Sequence, residues 1–396
     1  MASWMPRIHL DGAPIEAQAE DTVAAALLRA GVTTFTRSIK YHRPRGPFCF
    51  AGSCGQCLMR IDGLPSLPAC RVRVAEGMRC ERQNGPLGVE NDLFRAADFL
   101  FPDGLDHHHL MVRSRLLGRV ALEIARRLAG LGELPEAAER PGRGELRVVK
   151  LVIVGAGPAG LAAARAAGAG ALLIEREGRA GGAELLFGAP VDTDAGRAEL
   201  LLDAECVGLY ANDTAIAGNA LLAVRRRDRL LAIVAERVVI ATGGVSQPVP
   251  FPGVDRPGVY AARGLLTLGA RVGRELALVG EGKEANRCAE ALSQRGYEIA
   301  VIPGVPRRAL GNPVKAVDTA GGKRIRCDAV AIAQPPAPLH ELATSAGAQA
   351  HFDGAGFPVQ TDAEGRTSVP WLFAAGTVAG KPPLASGEGA GSAACR

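Results

Sequence analysis

Four cysteines stand where they can hold a metal centre. Their spacing is Cys49-x4-Cys54-x2-Cys57-x12-Cys70. This is the plant-type pattern, in which three thiolates of one tight loop and a fourth from beyond the next strand enclose a [2Fe-2S] cluster. Gly52 and Gly55 inside the loop relieve Cβ crowding and let backbone N–H groups point at the sulfurs, where they stabilise an added electron. Two other readings compete. Cys54-x2-Cys57 with Cys70 also suits the start of a four-cysteine zinc site, and four buried structural cysteines need no metal. Cys80, Cys206, Cys288, Cys327 and Cys395 are isolated and read as core or surface thiols.

A second chemistry-bearing segment is Gly155-Ala156-Gly157-Pro158-Ala159-Gly160. It follows an apolar run, Val148–Val154, and opens a helical stretch, which is the context G-x-G-x-x-G requires. The glycines permit the tight turn, the pyrophosphate approach and the helix–strand contact, and the helix N-terminus offers free N–H groups. Glu175 stands twenty positions after Gly155 at the end of the next apolar run, where a carboxylate accepts bonds from ribose hydroxyls. Arg176 and Gly182 follow as further candidate contacts.

Two later segments resemble the flavoprotein disulfide reductases. Ala241-Thr242-Gly243-Gly244 is similar to their ATG strand end, and Phe373-Ala374-Ala375-Gly376-Thr377 is similar to a strand that usually ends in Gly-Asp. The resemblance places Thr242, Gly243, Gly376 and Thr377 at the cofactor. The Asp that would bind the FAD ribitol is Thr377 here, so the pocket suits FAD, NAD or another adenine nucleotide. No C-x4-C pair follows Gly160, so a disulfide reductase is not expected. Gly280-Glu281-Gly282-Lys283-Glu284-Ala285 is a second G-x-G-x-x-A after a strand. Its partner strand ends at Ile302-Pro303 without an acid, so a second nucleotide site on Gly280, Gly282 and Ala285 is expected to be degenerate.

These loops need elements to carry them. Short strands at Arg7–Leu10 and Ile15–Ala17 flank the Asp11-Gly12 turn, and Asp21 or Thr22 caps a helix over Val23–Arg29 that Gly31 ends. Cys57–Ile61 and Val72–Val74 read as further strands. A small sheet with one crossing helix is the β-grasp fold. Leu110–Leu131 has helical periodicity, and Pro135 to Gly144 is a linker. Beyond it, apolar runs at Ala171–Ile174, Val238–Ala241, Leu276–Val279 and Ile299–Ile302 alternate with helical stretches, as in parallel sheets with crossover helices. The expected class is α/β: a ferredoxin-like domain (1–95), a helical connector (96–145), a first dinucleotide domain (146–255 and 340–396) and an inserted second nucleotide-binding-like domain (256–339).

Composition bounds the function. Hydrophobic residues are 47% and aromatics 4%, with 50 glycines, a profile for α/β layers with small residues at contacts and not for a single-stranded nucleic-acid binder. A net charge of +5 is too mild to imply nucleic acid or membrane. Arg225-Arg226-Arg227 reads as a solvated hairpin and His107-His108-His109 as surface histidines. The N-terminus shows no apolar signal region and the chain no run of about 18 apolar residues, so a cytoplasmic protein is expected. Nine cysteines in such a chain imply metal ligation and not a disulfide framework.

The segment Arg37-Ser38-Ile39-Lys40-Tyr41-His42-Arg43-Pro44-Arg45-Gly46 resembles the RS-F-KYHRPRG stretch of the α subunits of heterotetrameric sarcosine oxidases. Their relatives occur in hydrogen cyanide synthase, opine oxidase and dye-linked proline dehydrogenase. The resemblance spans nearly the whole chain. It implies a FAD-containing amine-oxidising β subunit as partner, possible small subunits, and an FMN at a subunit interface. Sarcosine oxidase α subunits usually lack the cluster cysteines. This chain keeps all four, which points to a dehydrogenase of sarcosine, proline, hydroxyproline or opine type that passes electrons to an external acceptor. The basic segment Arg37–Arg45 either docks that acceptor or is a structural loop that pins the cluster loop and the subunit contact. Two alternatives stand beside this: a self-contained NAD(P)H-dependent flavoprotein reductase with a fused ferredoxin, and a non-redox nucleotide-holding scaffold.

Overall fold

The computed structural model describes residues 5–38, 43–83, 89, 143–188, 190–226 and 229–396. The helix expected over Leu110–Leu131, the His107-His108-His109 tract, Ile39 to His42 of the basic segment and Arg227 lie outside the described residues.

The chain opens with β1 (Arg7–Leu10) and β2 (Ala13–Glu16), an antiparallel hairpin. Its turn, Asp11-Gly12, takes left-handed φ at both residues, 48° and 87°, the geometry that matches strand twist. Helix α1 (Val23–Arg29) is capped by Thr22, whose hydroxyl accepts the Ala25 N–H at 3.3 Å. Asp21, the other candidate, pairs instead with Arg29 at 2.9 Å. A short ribbon of β3 (Thr36–Arg37) and β4 (Pro44–Arg45) precedes the cysteine loop. Then come β5 (Leu58–Ile61), β6 (Leu64–Pro68) and β7 (Arg79–Arg82). The sheet order is β2-β1-β7-β5-β6, with β1 and β7 parallel. That central parallel pair and the intervening helix make the β-grasp. Val23 to Leu28 are buried.

One strand expectation fails. Val72–Val74 forms no strand; Arg73 makes a single bridge to Thr22. The sheet is completed by β7, and by β6, which the Asp62-Gly63 turn folds back onto β5 with φ of 48° and 81°. The same Asp-Gly signal as in the first hairpin marked this turn, whereas the alternation at 72–74 had no neighbouring strand to pair with.

Residues 143–246 give β8 (Arg143–Val154), α2 (Pro158–Ala167), β9 (Ala171–Ile174), β10 (Glu199–Leu201), β11 (Ala204–Ala211), β12 (Ala220–Arg226), β13 (Arg229–Ile240) and β14 (Gly244–Val245). Residues 247–334 give β15 (Val259–Ala261), α3 (Ala262–Thr267), β16 (Glu275–Val279), α4 (Gly282–Gln294), β17 (Glu298–Ile302), β18 (Arg308–Gly311), β19 (Val314–Asp318), β20 (Arg324–Arg326) and β21 (Ala329–Ile332). The last stretch holds β22 (Ala337–Pro338), α5 (Glu341–Ser345), β23 (Leu372–Ala374) and α6 (Pro383–Cys395).

By contacts the chain forms two compact units, residues 1–138 with 247–334, and residues 139–246 with 335–396. In the second unit β10-β9-β8-β13 run parallel, β23 joins β13 in parallel, and β11–β13 form an antiparallel meander. Arg225 pairs across that meander with Glu205 at 2.6 Å, consistent with a solvated ribbon. One face of the sheet is covered by α2 and α6. Their backbones touch: a Cβ on Gly387 would lie 2.2 Å from the Ala159 oxygen, and one on Gly391 2.3 Å from that of Ala163. The abundance of small residues is thus used at a helix–helix contact too close for side chains.

In the first unit, β15-β21-β16-β17 form a parallel sheet beside an antiparallel β18-β19-β20 ribbon. Its core runs on into the cysteine loop, since Phe48 and Cys49 are buried in one cluster with Val259, Ala261, Val279 and Ile332.

Candidate cluster and dinucleotide sites

The cysteine loop lies between β4 and β5. Cys49, Cys57 and Cys70 are buried and Cys54 is half-buried. The chain turns through left-handed backbone at Phe50, Gly52 and Gly55, with φ of 52°, 77° and 64°. These turns aim amides inward: the Ala51 N–H donates to the Cys49 Sγ at 3.4 Å. Cys70 sits just past β6, and the Ala69 N–H donates to the Cys57 oxygen at 3.0 Å, holding the fourth cysteine beside the loop.

The thiols meet in pairs, Cys49 with Cys54 and Cys70, and Cys57 with Cys70. Hydrogen bonds from Cys54 and then Cys70 hold the Cys49 thiol well below its ordinary value, and the same contacts push Cys54 and Cys70 far above theirs. Without a cation such a group shares its protons; a metal core takes all four as thiolates. Among the described residues no three His, Cys, Asp or Glu side chains converge on one ion position. A binuclear cluster instead needs thiolates spread around two irons, and this donor set fits it. The other cysteines differ in kind. Burial pushes Cys80, Cys206 and Cys288 up to about 12 and Cys327 up to about 11, and Cys395 is exposed.

The basic segment resolves partly. Arg37 is buried, and its Nε donates to the Val89 oxygen at 2.6 Å. Arg45 pairs with Asp255 at 3.4 Å and Arg43 with the same carboxylate at 3.9 Å. Acceptor docking was one reading of Arg37–Arg45. At Arg37, Arg43 and Arg45 the structure favours the other, because these guanidinium groups are engaged inside their own unit.

In the second unit the expected nucleotide residues gather at the C-terminal ends of parallel strands, the position where α/β sheets bind ligands. Gly155 to Gly160 follow β8, Glu175 and Arg176 follow β9, Thr242 and Gly243 follow β13, and Gly376 and Thr377 follow β23. Gly155 has φ of 102°, and a Cβ there would lie 2.5 Å from the Ala241 oxygen, so no other residue fits. A Cβ on Gly160 would lie 1.8 Å from the Gly155 oxygen. Gly157 caps α2 with no side chain over the first turn, and Pro158 starts the helix, leaving its early N–H groups for an anion. Ala159 packs against Gly376, where a Cβ would lie 2.8 Å away. Gly182 approaches Gly157, and the Gly181 N–H donates to the Ala156 oxygen at 2.8 Å.

Glu175 is buried. One carboxylate oxygen accepts the Ala156 N–H at 2.7 Å and the other the Glu177 N–H at 2.9 Å. Each oxygen keeps a lone pair for a ribose hydroxyl. Arg176 turns to Glu177, 3.3 Å away. The Thr242 hydroxyl donates to the Leu339 oxygen at 2.8 Å, which ties the strand end to the returning chain. The Gly376 N–H donates to the Ser386 hydroxyl at 2.9 Å; Ser386 escaped the sequence reading because no motif marks it. The cradle of glycines, open helix terminus and buried carboxylate fits a dinucleotide.

The second glycine loop is built differently. Gly280 follows β16, and a Cβ there would lie 2.3 Å from the Ala333 oxygen. Gly282 opens α4 and Ala285 is buried beneath its first turn. In that first turn Glu284 accepts two bonds from Arg263 of α3, at 2.6 and 2.9 Å.

Fold and sites together define an oxidoreductase with a [2Fe-2S] domain ahead of a flavoprotein-type dinucleotide module. Residues 5–85 match the family of 2Fe-2S iron–sulfur cluster binding domains, and residues 149–309 match the pyridine nucleotide-disulphide oxidoreductases. The chain belongs to the family of the sarcosine oxidase α subunits and the hydrogen cyanide synthase subunit HcnA. It is 29% identical over 361 residues to the sarcosine oxidase subunit alpha of Rhizobium meliloti, covering 81% of this chain and 36% of that protein. It is 39% identical over 83 residues to the hydrogen cyanide synthase subunit HcnA of Pseudomonas aeruginosa, covering 21% of this chain and 79% of that one. The crystal structure of L-proline dehydrogenase from P. horikoshii shares the fold, with a TM-score of 0.74, 23% identity, and coverage of 100% of this chain and 73% of that one. The chain spans about a third of the length of the sarcosine oxidase α subunits it matches, 36% and 30% in two of them. Among the described residues no helix is long and apolar enough to cross a membrane.

Proposed function

We propose that this chain is the electron-transfer subunit of a multi-subunit, flavin-dependent amine or amino-acid dehydrogenase located in the cytoplasm. It takes electrons from a FAD-containing partner subunit that oxidises a C–N bond of sarcosine, proline, hydroxyproline or an opine. An FMN at the subunit interface completes the assembly. The observation that carries this is the meeting of Cys49, Cys54, Cys57 and Cys70 on a β-grasp scaffold, in one chain with a glycine cradle for a dinucleotide. A [2Fe-2S] cluster, when bound, accepts one electron at a time, which suits a subunit standing between a two-electron flavin and a carrier. Cys49, Cys57 and Cys70 would hold the cluster from buried positions and Cys54 from a half-buried one, and the Ala51 amide would serve the Cys49 sulfur. The relatives' names support the reading: a sarcosine oxidase subunit, a hydrogen cyanide synthase subunit and a proline dehydrogenase.

The test is co-expression with a flavoprotein encoded beside it, followed by anaerobic mixing with each candidate amine. Bleaching of the visible spectrum by one amine, only when the partner is present, is the expected result. Bleaching of the isolated chain by NADH alone would establish the self-contained reductase instead.

A further inference from the structure

This inference rests on the reading that the four cysteines hold a [2Fe-2S] cluster. The inserted fold of residues 247–334 has the sheet and helix of a nucleotide-binding domain, and one of its surfaces is fitted closely against the cysteine loop. The Ala261 N–H, at the end of β15, donates to the Phe48 oxygen at 2.9 Å. In the first turn of α3, Gly264 meets the loop backbone: a Cβ there would lie 3.0 Å from the oxygens of Phe48 and Cys49 and 2.7 Å from the Phe50 ring. Phe50 holds a left-handed backbone, costly for an aromatic residue, and its ring packs on Tyr260 with centroids 5.9 Å apart. Asp255 adds the charge contact to Arg45. These are four kinds of contact, a hydrogen bond, a backbone approach, a ring pair and an ion pair, converging on the residues that flank Cys49.

The nucleotide side of the same fold carries an ion pair in the first turn of α4. Arg263, next to Gly264, makes a two-point pair with Glu284 in the first turn of α4. A carboxylate thus sits in the helix turn whose N–H groups a pyrophosphate would need, and α3 is fastened to α4 by the pair.

We propose that the inserted fold is the seat of the cluster loop and not a pyridine-nucleotide site, and that Gly264 is a positioning residue that sets the place of Cys49. The absence of a Cβ at 264 lets α3 press on the carbonyl of the ligand residue itself. That contact fixes which amides reach the sulfurs, and hence the electronic state of the cluster.

The experiment compares wild-type protein with Gly264→Ala, Asp255→Asn and Gly269→Ala, each prepared anaerobically. Iron and acid-labile sulfide are assayed, the EPR spectrum of dithionite-reduced protein is recorded, and iron release to a chelator is timed. Circular dichroism and bound dinucleotide report on the fold. Gly264→Ala is expected to shift the g-values and to release iron several-fold faster. Gly269→Ala is expected to match wild type, because nothing lies within 4 Å of a Cβ there. A folded Gly264→Ala with wild-type g-values and release rate would overturn the proposal. If Gly264→Ala does not fold, Asp255→Asn decides by release rate, since its side chain is 26% exposed and tolerates the change; faster release supports the proposal, and a wild-type rate overturns it. Wild-type protein lacking iron and sulfide would overturn the cluster reading itself, whereas intact clusters with unaffected variants would overturn this proposal and leave the cluster reading in place.

Discussion

Glu175 and Ala156 are joined by a buried hydrogen bond: the carboxylate at the end of β9 accepts the Ala156 N–H at 2.7 Å. The acid expected to meet a ribose thus also anchors the phosphate loop. The anchoring leaves the expected ribose contact open, because a carboxylate oxygen has lone pairs for both partners.

Replacing it tests both roles. Glu175→Ala leaves the fully buried Ala156 amide without its acceptor, at a cost of about 1–3 kcal/mol, and removes the ribose contact as well. Calorimetry is expected to show a lowered melting transition, and nucleotide released by acid should be strongly reduced. Glu175→Gln keeps an acceptor oxygen and should fall between. An unchanged transition in Glu175→Ala would contradict the anchoring role.

The cysteines divide into two sets that iron analysis can tell apart. Cys49→Ser, Cys54→Ser, Cys57→Ser and Cys70→Ser are each expected to strip visible absorbance and iron from the protein, since each thiol is one of the paired group. Cys395→Ser, at an exposed site, should retain both. Prolonged chelation of reduced wild-type protein should also lower its resistance to urea, because metal binding energy adds to folding energy.

Alkaline pH probes the remaining thiols. Burial raises Cys80, Cys206 and Cys288 from an ordinary 9.0 to about 12. Between these values the unfolded chain has lost protons that the folded chain keeps, so unfolding gains as pH rises. The stabilising effect of the neutral thiols is whole below pH 9.0 and is lost progressively toward about 12. Urea midpoints measured at pH 8 and at pH 10.5 should therefore fall, and Cys288→Ala should make the fall shallower. Equal slopes in variant and wild type would argue against a buried neutral thiol at 288.

The Arg263–Glu284 pair gives a stability cycle. Both side chains are largely shielded, at 19% and 12% exposure, so Arg263→Leu strands a carboxylate and should cost about 3 kcal/mol. The double variant Arg263→Leu, Glu284→Leu should recover most of that loss in urea unfolding. A double variant no better than the single would show that the pair itself contributes little.

Local spacing made the chemistry legible. The cysteine loop and the Gly155–Gly160 loop each gather their groups within a few residues, so ligand type and turn geometry are written in consecutive positions. Glu175 was found for the same reason, at a set distance beyond the first glycine along one β–α–β unit. The Asp11-Gly12 hairpin and the Thr22 cap were likewise local matters. The failed strand at Val72–Val74 marks the limit, since a strand exists only by its neighbours. The tertiary structure alone decided that the Thr242 hydroxyl turns to Leu339, that Arg37 is buried against Val89, and that Arg45 faces Asp255. It alone brought Gly264 against the carbonyl of Cys49. These partners lie tens to hundreds of positions apart in the chain, and no periodicity links them. Their meeting depends on how sheets and crossover helices pack, and a glycine that matters because another backbone needs its space looks, in the sequence, like any other glycine.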